Sequence, residues 1–240
     1  MHATDFEFRN RFWIIMLLFS VAFASYGLDH VNVMQAVADW IAGLNNSNSD
    51  RLVRFFLALG TILVFIAASI RTWAAAYLRS EVVHDANVHS EALVADGPYR
   101  HVRNPLYFGN FLVAAGIGCL ASRLGFVILI LGMTVVVLRL IGREEAQLEK
   151  EQGERFREFC RNVPRLWPAL RPRLPSGGVE PHWGQAFIGE AFNWGAFIAL
   201  LVFDLTLNNT LLWAILATGL LSRILLGFVE KRPLKAVPPS

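Results

Sequence analysis

Apolar residues run almost without interruption over Phe12 to Leu28, Phe55 to Ile70, Phe126 to Leu138 and Leu211 to Leu221, each extendable by a few semi-polar neighbours. These runs are of spanning or near-spanning length for a helix crossing roughly 30 Å of hydrocarbon. Leu106 to Ala121 and Gln185 to Phe203 are weaker: rich in Gly and Ala and poor in charge, they suit helices packed closely against other helices. The pattern predicts an all-α, polytopic membrane bundle of about six transmembrane helices. Only Ser122 and Arg123 interrupt Leu106 to Ile141, so this stretch reads as a tight helical hairpin whose two ends meet on one side.

Val31 to Leu44 has helical apolar spacing at Val33, Val37, Trp40, Ile41 and Leu44, but it reaches only about 21 Å. It reads as a surface helix, because a span there would bury Asp39 without a partner. The polar stretch after it, Asn45 to Asp50, reads as a turn. The first run follows Arg9 and Arg11 and has small residues near its end, yet it reads as a retained anchor rather than a cleaved signal.

Composition agrees with a bilayer as solvent: 55% of the 240 residues are hydrophobic, 17% are charged, and the mean hydropathy is +0.44. The net charge of +3 would suggest a polyanionic partner in a soluble protein. Here its distribution carries more information. With the amino terminus inside, eighteen Lys and Arg fall in inside segments and only Arg51, Arg54 and Arg123 outside, which is the orientation bias of membrane proteins. A multi-pass protein with both termini cytoplasmic is expected, in the inner membrane if the host is bacterial, and no nucleic-acid partner. Cys119 and Cys160 form no CxxC pair or ligand cluster. His84 and His89 are five apart and share no helical face, so no metal site is expected.

Two polar stretches flank the hairpin. The first, ending GPYRHVRNPLYFG at Gly109, sets turn formers, aromatics and bases against the start of a helix, with Asn104 able to cap it and Pro105 at its first position. The second, Arg139 to Pro168, is a strongly charged helix in which Glu144 and Glu145 sit at the interface. Alone, each has an ordinary structural reading. Gly116-Ile117-Gly118 reads as close helix packing. Glu190 and Asp204, in or beside the last hairpin, are either acceptor-site groups or interfacial residues.

Taken together, GPYRHVRNPLYFG and, one hairpin later, REEAQLEKEQGERFREFCRNVPRLWP resemble the membrane-embedded methyltransferases typified by isoprenylcysteine carboxyl methyltransferase and the phospholipid N-methyltransferases. The likeness covers Arg71 to Pro168. It implies a core over 71–175, preceded by amino-terminal spans over 1–70 and followed by a two-span extension over 176–240. It implies S-adenosylmethionine in a cytoplasmic pocket closed by the segment after the fourth span, and a lipid-like or lipid-linked acceptor, a carboxylate or an amine, arriving from the membrane. Carried over by position, the cofactor pocket comprises His84, Glu91, Ala92, Leu93, Val94, Tyr99, Asn104, Pro105, Leu106, Tyr107, Glu144 and Glu145. Arg139 or Arg143 is the basic group near the acceptor, and Asn104 completes the reacting centre. Asn104 stands where the family usually has His, which keeps hydrogen bonding but loses a titratable ring, and Phe156 stands where Tyr is usual. A membrane reductase of the steroid-reductase type, using NADPH, is the alternative; the acidic pair and the RNPLY segment favour the methyl donor.

Overall fold

The computed structural model describes residues 2–45, 48–84 and 95–230, and their regular elements are all helical. In chain order they are α1 (Asp5–Arg9), α2 (Arg11–Ala24), α3 (Val33–Asn45), α4 (Ser49–His84), α5 (Pro105–Gly118), α6 (Arg123–Gln152), α7 (Glu154–Asn162), α8 (Trp183–Gly189), α9 (Ala191–Thr206) and α10 (Asn209–Glu230). The expected hairpin is present as α5 and α6, with Ser122 capping α6 through the Gly125 N–H. At that turn Asn32 pairs with Ser122, which sets the segment between α2 and α3 beside the turn of the hairpin.

Close approach comes from small residues. A Cβ on Gly116 would lie 2.5 Å from the Gly60 carbonyl oxygen and 2.6 Å from Val64 Cγ2, so α4 and α5 touch backbone to backbone. The largest apolar cluster lies between α2, α5 and α6, around Ala22, Ala114, Leu129, Met133, Val137 and Ile141. Exposed apolar side chains such as Leu17, Phe55, Leu131, Val135 and Leu205 lie along the outward faces, as expected of helices solvated by lipid.

By length and composition, Ser49–Leu78 and Arg123–Gln152 are able to cross a membrane, and α8 with α9 makes a third if the pair is one span. The remaining apolar helices are shorter, so length alone carries two or three spans where the hydropathy pattern suggests six. α8 and α9 are bent by 63° at Glu190. The apolar run ending at Ile70 does not end its helix: α4 continues through Arg71 to His84, because the Arg71 charge finds partners inside the bundle.

α6 ends at Gly153, whose φ of +55° suits glycine, and α7 follows at once. The chain from 163 to 182 then laces back across the base of the bundle. Arg103 N–H donates to the Pro164 carbonyl, Ala169 N–H to His101, Arg173 N–H to Arg100, and His182 N–H to Ala76. Buried Asp96 fastens this strap, accepting from Ser176 Oγ at 2.9 Å and Val179 N–H at 3.0 Å. Burial pushes its carboxyl pKa up, but these bonds with those from the Gly97 and Gly177 N–H groups outweigh it and hold the pKa below the usual value.

Candidate functional site

The two polar stretches meet at the base of the α5–α6 hairpin. Asn104 does not cap α5 with its side chain; its Nδ2 donates to Glu145 Oε1 at 3.3 Å and to the Arg165 carbonyl at 3.0 Å. Glu145 is also paired with Arg103 at 3.5 Å and Arg165 at 2.9 Å. One turn into α5, the Tyr107 hydroxyl donates to Glu144 Oε1 at 2.7 Å. Residues 37 and 41 positions apart are thus in direct contact.

These groups border a cavity of about 890 Å³. Tyr99, Arg103, Asn104, Glu144 and Glu145 lie on its polar side, with Leu148, Phe156 and Phe159 beside them. Arg103 contributes a buried Nε without a hydrogen-bond partner in the protein. α2 turns Phe12, Ile15, Met16 and Phe19, one helical face, toward the cavity, opposite Val113 and Met133. Arg9 and Arg11 stand at its rim.

A second polar cluster closes the other side. Arg71 from α4 binds Glu190 with two parallel bonds, Nε to Oε2 at 2.7 Å and Nη2 to Oε1 at 2.9 Å. Its Nη1 donates to the Leu106 carbonyl at 3.0 Å and to Asn110 Oδ1 at 2.5 Å. Asn193 Nδ2 adds a 2.7 Å bond to Glu190 Oε2. Gly109 makes room for the arginine stem, since a Cβ there would run into Arg71 Cγ. Arg71 and Glu190 side chains are 16% and 8% exposed, which makes this a buried ion pair.

Of the residues singled out from sequence, Tyr99, Asn104, Pro105, Leu106, Tyr107, Glu144 and Glu145 line this one cavity. His84 ends α4, and its side chain, like Glu91, Ala92, Leu93 and Val94, lies outside the described residues. Arg139 and Arg143 do not border the cavity. They hold the amino-terminal segment, Arg139 to Glu7 at 2.8 Å and Arg143 to Asp5 at 2.5 Å, with Arg143 also stacked 5.0 Å over the Phe8 ring. Sequence reasoning missed Arg71 and Asn110 as lining groups. The signal was a charge directly after an apolar run, which also looks like the end of a span. Asp204, paired with Glu190 in the sequence reading, is absent from the lining.

Residues 55–155 match the model of the phospholipid methyltransferase family. The matched segment begins inside α4 and ends at the start of α7, so it contains the hairpin, the first polar stretch and the Glu144–Glu145 pair of the second, but not α8–α10. The chain is 28% identical over 145 residues to the cobalt-zinc-cadmium resistance protein CzcN of Cupriavidus metallidurans, covering 60% of this chain and 63% of that protein. It is 24% identical over 144 residues to the nickel-cobalt-cadmium resistance protein NccN of Alcaligenes xylosoxydans xylosoxydans, covering 60% and 64%. The alignment spans less than two thirds of the length of both relatives. No solved structure matches the chain.

Proposed function

We propose that this chain is an integral membrane methyltransferase that uses S-adenosylmethionine and acts on an amphiphilic acceptor. The observation that carries the reading is the juxtaposition of Asn104 and Tyr107 with Glu145 and Glu144 on one cavity wall, inside a segment of the phospholipid methyltransferase family. The cavity volume lies within the range of small-ligand sites, roughly 300–1,000 Å³.

The side chains fit such a donor in kind. Glu144 and Glu145 would accept hydrogen bonds from ribose hydroxyls or an ammonium group, and the unpartnered Arg103 Nε would donate to a carboxylate. Leu148, Phe156 and Phe159 offer an apolar wall for a purine. When bound, the donor supplies a methyl group already activated by its sulfonium. The chain's own contribution is positioning and exclusion of water by the faces of α2, α5 and α6. The charge bias favours six passes, with both termini and the polar wall of the cavity cytoplasmic.

The test is calorimetric titration of the purified full-length protein with S-adenosylhomocysteine, followed by incubation with radiolabelled donor and a total lipid extract of the host. Wild type should bind and label a lipid, and Glu144→Ala or Tyr107→Ala should weaken binding about tenfold or more, roughly 1.4 kcal/mol. Absent binding in the wild type, unchanged binding in both variants, or no labelled lipid refutes the reading.

A further inference from the structure

The Arg71–Glu190 cluster has a chemical bias that the methyltransferase segment alone does not contain. Glu190 and Asn193 belong to the α8–α9 bend, beyond residue 155, yet both border the cavity. The two charges satisfy one another. Arg71 spends Nε and Nη2 on Glu190 and Nη1 on Leu106 and Asn110, while Glu190 accepts from Arg71 and Asn193. The charged partners fix which way both amides point: Asn110 must present Oδ1 to Arg71, and Asn193 must present Nδ2 to Glu190. Beyond these bonds the cluster has left, among the described residues, the Asn110 Nδ2 donor, the Asn193 Oδ1 acceptor and one Arg71 N–H, the second on Nη2. The ion pair has no net charge, and the residual hydrogen-bonding capacity both donates and accepts.

A bound carboxylate or phosphate would meet the Glu190 oxygens there with the Arg71 charge already committed to them, while Arg9 and Arg11 stand at the rim. An ammonium would meet Arg71 with Glu190 already committed. Either ion would be desolvated at the cluster with its opposite charge already committed, a large cost in a low-dielectric site. A hydroxyl accepts from Asn110 and donates to Asn193 without that cost. From here the apolar face of Phe12, Ile15, Met16 and Phe19 leads along α2 and suits a hydrocarbon chain.

Building on the methyltransferase reading, we propose that the α8–α9 bend supplies the polar end of the acceptor site, and that this end binds an uncharged protic group, a hydroxyl, on an amphiphile. The carboxyl-terminal extension thereby sets acceptor choice, while the family segment holds the donor.

The test is native mass spectrometry of the full-length protein in detergent with equal amounts of hexadecanol, palmitate and hexadecylamine, with and without saturating S-adenosylhomocysteine. Hexadecanol should be retained about tenfold more than either ion, and Asn110→Ala or Asn193→Ala should reduce that preference at least fivefold. An unchanged melting temperature in each variant shows that the fold persists; a variant that melts earlier is replaced by Asn193→Gln, which lengthens the side chain and should give the same loss. Preference for palmitate or hexadecylamine, or a hexadecanol preference that neither amide substitution alters, overturns the proposal. Failure of S-adenosylhomocysteine to bind instead strikes the donor reading, and the amphiphile ranking still decides whether this cluster recognises an uncharged group.

Discussion

Replacing Glu190 by Ala should be among the most damaging single changes in this protein, and the reason can be worked from the geometry. The substitution removes two charge-assisted bonds to Arg71 and the bond from Asn193. It leaves a guanidinium that is 16% exposed with only the Leu106 carbonyl and the Asn110 amide as partners. Breaking a buried pair by removing one partner costs about 3–5 kcal/mol, and the partial exposure of Arg71 places this case toward the lower end. For a chain of this size about 2–4 °C is lost per kcal/mol, so a cost near 3 kcal/mol should lower the melting temperature by roughly 6–12 °C. Replacing both residues by Met removes the stranded charge as well, and an apolar pair in such a place is often neutral or better. The assay is thermal melting in one detergent at fixed protein and detergent concentration and one heating rate, because unfolding of such proteins is commonly irreversible. A shift below about 2 °C for Glu190→Ala, or a double variant as unstable as the single one, would refute the reasoning.

Two further outcomes follow from the packing and the charges. Gly116→Leu drives a side chain into the Gly60 carbonyl and Val64, and should cost about 1–3 kcal/mol or more by melting, whereas Gly27→Ala, with no neighbour within 4 Å, should be close to neutral. The Glu7 carboxyl is held down at about 2, chiefly by its hydrogen bonds from Arg139 and also by the Thr4 backbone. A depressed carboxylate favours the folded arrangement above its ordinary value of 4.5 and loses that contribution as the pH falls toward 2. Proteolysis of the amino-terminal segment by pepsin should therefore accelerate across that acidic window in wild type more than in Glu7→Gln; equal acceleration in both would refute it.

Much of the candidate site could be read along the chain. Because two residues alone separate the apolar stretches of α5 and α6, their polar flanks had to return to the same end, and Asn104 and Glu145 are indeed in contact. The partners of the arginines were less legible. Arg71, Arg139 and Arg143 all follow or sit in apolar runs and look alike in sequence, yet Arg71 turns into the bundle while Arg139 and Arg143 bind the amino-terminal segment 132 or more residues earlier. Which charge is buried depends on an acidic group brought near by helix packing, and no local periodicity encodes that. The bend at Glu190 was hidden for a similar reason: Gln185 to Phe203 reads as one apolar run, and no proline marks the break.

The separation of Arg71 and Glu190 along the polypeptide also bears on biogenesis. They are 119 residues apart, and at synthesis rates of about 5–20 residues per second the arginine emerges roughly 6–24 seconds before the glutamate. During that interval α4 carries a cation whose eventual counter-ion has not been made. The nascent bundle must shelter that charge in the translocation machinery or at the headgroup level until the last helices arrive. Early termination of translation would strand it there, giving cellular quality control a polar mark by which unfinished copies differ from complete ones.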